Sequence, residues 1–170
     1  MFVSSQGVWV TEEYLNNLVD HWFRRAVGEN IQFDDFDRFV SLWIAFNAWG
    51  NYVLSKDNDR QMIEAAKIDT RLNTWFQNLM RSDPSFMTEV KMLKDQCPVT
   101  RSKRYRGSYE ATIANVNNFP EVLEVIYAIR CNLFHGEKQF DSPRNRQLVS
   151  HALVILSKLF ANAKSTTGSV

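Results

Sequence analysis

Cysteine, glycine and proline are all scarce in this chain of 170 residues, at two, six and four respectively. The two cysteines, Cys97 and Cys131, cannot build a disulfide framework, and neither belongs to a Cys-x-x-Cys pair. So little turn punctuation argues against an all-β sandwich. Histidine is equally thin: His21, His135 and His151 are scattered, with no HxxxH or HExxH pairing, so neither a metal site nor a cofactor is expected. No stretch approaches the ~18 uninterrupted apolar residues of a membrane span. Met1–Val10 lacks a basic segment followed by a long apolar run, so no signal peptide is read there. The expectation is a soluble cytoplasmic protein with no membrane partner. An excess of one charge is missing too. With 20 basic against 19 acidic residues, no global field marks a general nucleic-acid binder, and any such role must rest on a local patch.

What the chain does have is core. Hydrophobic residues make up 45% and aromatics 13%, enough to bury a sizeable interior and to exclude a wholly disordered tail. The length fits one domain of ~100–200 residues. Apolar spacing is helical nearly throughout. Thr11, as cap, opens a helix carrying Leu15, Leu18, Val19 and Trp22 and ending near Gly28. Asp34 or Asp35 starts a second helix, apolar almost all round, which belongs at the centre of a bundle. Gln61–Met80 reads as one or two helices, and Ser82-Asp83-Pro84 as a start signal for another, stopped by Pro98. Residues 98–107 read as a loop. Phe119-Pro120-Glu121 opens a helix with Val122, Val125, Ile126, Ile129 and Leu133 at three- and four-residue steps, and Ser142-Pro143 opens the last. The reading is one all-α domain over residues 1–170, with a core from about 11 to 163 and a flexible tail beyond it.

The stretch from Ala128 to Lys138 carries the chemistry. Arg130, Asn132 and His135 fall at the C-terminal end of an otherwise apolar helix. A guanidinium there needs a partner, solvent or a ligand, and its planar fork suits phosphate. His135 sits where helix carbonyls point outward, which favours its protonated form. A guanidinium and a titratable imidazole are the minimal kit for phosphodiester cleavage without a metal. The same residues also fit a structural pair capping the helix, and Asn132 fits a simple hydrogen bond to a backbone carbonyl.

Arg130, four residues, then His135, with Asn132 between and Gly136 after, resembles the RxxxxH signature of the HEPN family. Leu42-Trp43-Ile44-Ala45-Phe46-Asn47-Ala48-Trp49 is similar to the second helix of the Apea-like branch of that family. The similarity runs from about Phe33 to Phe160. It implies an antiparallel up-and-down bundle of about five to seven helices that dimerises. In many members this bundle is a metal-independent endoribonuclease serving in toxin–antitoxin pairs or phage defence. Carried over, Arg130 and His135 are the catalytic pair and Asn132 the polar residue between them. RNA is then the substrate, and a second copy and an antitoxin or other protein are the partners. The chain departs from the pattern at Cys131, where many members place a polar residue. It also lacks the tyrosine soon after the histidine that marks members regulated by nucleotide transfer. The alternatives are a catalytically silent module of the same type, binding a nucleotide or a protein, and a structural helical domain in which the motif is accidental.

Two further groups bear on the site. Asn47 lies among aromatics, where a buried amide needs partners; it reads as a core hydrogen-bonder or as a support that orients His135. Arg101, Lys103, Arg104 and Arg106, with Tyr105 among them, fit either a solvated loop or a track for an RNA backbone. Contact with RNA matters only where the fold brings that segment to His135. The aromatic stripes read as core rather than as a stacking platform for bases, and His21 and His151 as ordinary boundary residues.

Overall fold

Helix follows the apolar spacing wherever that spacing is long. The computed structural model describes residues 2–3, 9–10, 12–28, 33–101, 109–134 and 142–167. It is an all-α helical bundle, with seven helices and two short hairpins among the described residues. The chain forms two compact units, residues 1–66 and 67–170.

In the first unit, β1 (Phe2–Val3) pairs antiparallel with β2 (Trp9–Val10), Phe2 opposite Val10. Helix α1 (Glu12–Val27) has Glu12 and Glu13 in its first turn and Arg24 and Arg25 in its last, each sign at the end the helix dipole favours. Thr11, expected to cap it, lies outside the described residues. Helix α2 (Asp35–Val53) starts at the Asp34 cap, whose carboxylate accepts from the Asp37 amide at 2.9 Å. Its rings pack along the helix: Phe39, Trp43, Phe46 and Trp49 are buried and follow one another at 6.5, 5.9 and 6.0 Å between centroids. The Arg38 guanidinium donates to the Ala26 carbonyl at 2.8 Å, tying α2 to the end of α1. A Cβ on Gly50 would stand 2.7 Å from the Met62 sulfur of α3 (Asp59–Ile68), so any larger residue there would displace that buried side chain.

The second unit begins in the last turn of α3. Asp69 breaks that helix and caps α4 (Thr70–Ser82), taking the amides of Arg71 and Leu72 at 2.9 and 3.1 Å. Asp83 then caps α5 (Pro84–Asp95), which has proline in its first turn. Helix α6 (Phe119–Phe134) is buried almost all round from Val122 to Ile129. Phe76, Phe86 and Phe119 join α4, α5 and α6, with centroids 5.6 and 5.4 Å apart. Within this interior Glu124 of α6 is 5% exposed and forms an ion pair with Lys67. The long α7 (Pro143–Thr167) lies against α4, α5 and α6.

Three details differ from the sequence reading. Residues 99–101 are not loop. They form β3 (Val99–Arg101), paired antiparallel with β4 (Tyr109–Ala111), Thr100 opposite Glu110. The β-branched pair Val99-Thr100 suits a strand, and pairing with residues ten places on supplies the ladder. The β1–β2 pair was equally unforeseen. Helix α7 also continues through Ser165–Thr167, residues read as tail; Ala161, Ala163 and Lys164 favour helix, and no glycine or proline intervenes before Gly168.

Candidate active site

Helix α6 positions the motif, and its start is unusually well held. The Glu121 carboxylate accepts from the amides of Ala114 and Asn115 at 2.8 and 3.0 Å with one oxygen, and from the Asn118 side chain at 2.7 Å with the other. Lys94 and Gln77 donate to the carbonyls of Ala114 and Asn117, both at 2.8 Å. The link from β4 into α6 is therefore fixed from several sides, and the hairpin enters with a defined pose.

At the far end of α6 two of the three motif residues, Arg130 and Asn132, are described. Arg130 is half-buried, with its Nε shut away from solvent. Cys131 and Asn132 are buried, at 1% and 5% exposure. His135, the residue after Phe134, lies outside the described residues. Asn132 Nδ2 donates to the Thr100 carbonyl at 3.0 Å. That bond ties β3 to the motif helix. Arg101, the next residue along β3, belongs to the same strand, whereas Lys103, Arg104 and Arg106 lie outside the described residues. Asn47, on α2 in the first unit, is half-buried and its amide oxygen accepts from Asn51 Nδ2 at 3.4 Å.

Between β3, α6 and α7 lies a cavity of about 20 Å³ lined by Val99, Ile129, Asn132, Asn145 and Leu148. Its volume holds about one water molecule, far below the ~300–1,000 Å³ of a small-molecule pocket. Cys97, half-buried nearby, is no activated thiol: burial pushes its pKa up, against the weaker pull of the Ile113 backbone, Arg144 and Lys94. Among the described residues no group of histidine, cysteine, aspartate and glutamate is arranged to hold a metal ion, and no helix is long and apolar enough to cross a membrane.

One contributor escaped the sequence reading. Arg144, in the first turn of α7, donates from Nη2 to the carbonyls of Gln96 and Pro98 at 2.7 and 2.8 Å. Ser142-Pro143 signals that turn, but backbone acceptors 46 and 48 residues away leave no mark in composition. His151 likewise is more than a boundary residue: its Nδ1 meets the Glu89 carboxylate at 2.7 Å, joining α7 to α5.

Comparison with family models, with curated proteins and with solved structures returned no match to this chain.

Proposed function

We propose that the chain is a HEPN-like, metal-independent endoribonuclease that acts as a homodimer, with Arg130 and His135 as its catalytic residues. The observation that carries this reading is the hydrogen bond from Asn132 to Thr100, because it ties the strand that precedes the basic segment in sequence to the helix that bears Arg130 and Asn132. The guanidinium of Arg130, the imidazole of His135 and the cations that follow Thr100 in sequence are the groups this reading uses. That is the composition a phosphodiester backbone requires.

In this reading the RNA 2′-hydroxyl oxygen attacks phosphorus while the bond to the 5′ oxygen breaks. An imidazole takes the hydroxyl proton, and an acid returns a proton to the departing 5′ oxygen. Arg130 stabilises the charge on the phosphorane. Asn132, deep in the helix and engaged with a carbonyl, acts as a positioning residue. The products are a 2′,3′-cyclic phosphate and a 5′-hydroxyl. A toxin or defence role, with an antitoxin as partner, fits such an activity.

The test is incubation of purified protein with matched RNA and DNA oligonucleotides, with and without a chelator. RNA should be cut in both conditions and DNA in neither, since DNA lacks the attacking hydroxyl. Arg130→Ala and His135→Ala should each lower the rate by ~10²-fold or more. Cleavage of both polymers, or activity abolished by chelation and restored by a divalent metal, sinks the mechanism. The burial of Asn132 favours a second reading, a silent module of the same type; that module binds a nucleotide or a partner protein and cuts neither polymer.

A further inference from the structure

The β3–β4 hairpin keeps strand alternation for two layers and breaks it at the third. Val99 and its partner Ala111 are buried, whereas Thr100 is half-buried and its partner Glu110 is exposed. Val99 lines the cavity beside Ile129 and Asn132, so the buried face of the hairpin is the one turned to α6. A period of two returns the third layer, Arg101 opposite Tyr109, to that same face. A ring placed there should be covered, yet Tyr109 is 47% exposed. Among the described residues four other large apolar side chains are exposed, Tyr14, Val27, Ile68 and Met92, and all of them lie on helices. Tyr109 alone sits on the hairpin tied to Asn132. Its position is also fixed. The Thr100 carbonyl accepts from Asn132 Nδ2 at 3.0 Å, and Glu110, the residue next to Tyr109, pairs with Thr100. Tyr109 is thus one layer along the ladder from the bond that joins the hairpin to the motif helix.

We propose that Tyr109 is an RNA-binding residue, a platform on which one base of the substrate stacks beside the motif helix. The proposal rests on the ribonuclease reading above and adds to it a contact that is not electrostatic. A flat ring with few rotatable bonds, apolar on its face and polar at its tip, suits a partner that arrives from water. Every base has a π-face, so the contact tolerates sequence. It also has its own signature. A lost single-strand phosphate contact flattens the slope of log K against log salt by ~0.7, whereas a lost stack weakens binding at every salt concentration and leaves the slope unchanged.

The experiment uses the full chain and a short, fluorescent, unstructured oligonucleotide with 2′-O-methyl riboses, which lacks the attacking hydroxyl and is bound without being cut. It is prepared intact and with one nucleotide at a time made abasic. Affinity is titrated over a range of salt for wild type, Tyr109→Leu and Tyr109→Phe. Tyr109→Leu should weaken binding by ~5–150-fold, the span of one base–aromatic stack, with the salt slope unchanged. Tyr109→Phe, which keeps the ring, should bind as wild type does. In the wild type one abasic position should cost a similar factor, and in Tyr109→Leu that position should cost nothing further, because the same contact cannot be lost twice. Amide hydrogen exchange at residues 99–101 and 109–111 should be the same in Tyr109→Leu as in wild type, showing that the hairpin keeps its fold. Losses that simply add at every abasic position overturn the stacking role, as does a flattened salt slope or a Tyr109→Leu protein that binds as tightly as wild type; each of these leaves the ribonuclease reading standing. A wild-type protein that binds neither this oligonucleotide nor unmodified RNA at low salt overturns the ribonuclease reading itself, and the role of Tyr109 with it.

Discussion

Lys158 of α7 donates to the Asp83 carboxylate at 2.7 Å, and Asp83 is the single residue separating α4 from α5. Its backbone amide closes α4 by donating to the Leu79 carbonyl at 2.9 Å. Its other carboxylate oxygen starts α5 by accepting from the amides of Ser85 and Phe86, both at 3.0 Å, and from the Ser85 hydroxyl at 2.7 Å. One residue therefore ends a helix, begins the next and fastens both to a third.

The consequence is an acid sensitivity with a defined sign. The hydrogen bond from Lys158 first, then the Ser85 hydroxyl and the Phe86 amide, hold the Asp83 carboxyl far below its usual 3.8. A carboxyl depressed by folding stabilises the fold fully above its ordinary pKa, and that contribution is lost as pH falls through the folded value. Asp83→Asn keeps the side-chain shape without the charge. It should lower the urea midpoint near neutrality, and the gap to wild type should narrow below about pH 4. A gap that stays constant down to about pH 2.5 would show that the ionised carboxylate contributes nothing.

Lys67 and Glu124 should behave differently, because their pair is enclosed: the side chains are 14% and 7% exposed. Removing one partner leaves a charge in a poorly solvated place. Glu124→Ala should therefore cost ~3–5 kcal/mol in chemical denaturation, while Lys67→Met with Glu124→Leu should return close to wild-type stability. A double variant as unstable as the single one would mean that packing around Glu124, not its charge, is what the helix needs.

Much of this architecture was legible in the residues, for reasons that also explain the gaps. Asp34, Asp83 and Ser142 announce helices because a short polar side chain followed by proline or acid meets a local demand, the unsatisfied amides of a first turn. The division of residues 61–80 is not legible locally because Ile68-Asp69-Thr70 carries no glycine or proline; Asp69's own bonds to Arg71 and Leu72 mark the break. Strands of two or three residues, such as β1 and β3, are too short to show an alternating pattern, so their pairing is invisible locally. The motif itself stood out in sequence, since an arginine and an asparagine interrupt an apolar helix. What Asn132 holds did not, because its partner is a carbonyl 32 residues away that every residue type possesses.

A shared active site is the sharpest prediction that the motif's spacing makes. Five residues along a helix turn it by ~500°, which leaves Arg130 and His135 ~140° apart around the axis if the helical path continues. Arg130 is half-buried beside the enclosed Cys131 and Asn132, so α6 turns an edge outward at the arginine. One protomer also offers a single motif histidine, while transesterification benefits from a base on one side of phosphorus and an acid on the other. A two-fold axis beside the end of α6 would bring a second Arg130 and a second His135 to one cleft. Sedimentation should then show a concentration-dependent dimer. Arg130→Ala and His135→Ala proteins, each inactive alone, should regain RNA cleavage when mixed under conditions that exchange subunits, because a mixed dimer keeps one of each group in the shared cleft. If exchange is confirmed and the mixture stays as dead as its components, one Arg130 and one His135 from different protomers do not suffice for cleavage. A protein that cuts RNA at full rate while sedimenting as a monomer rules out the shared site altogether.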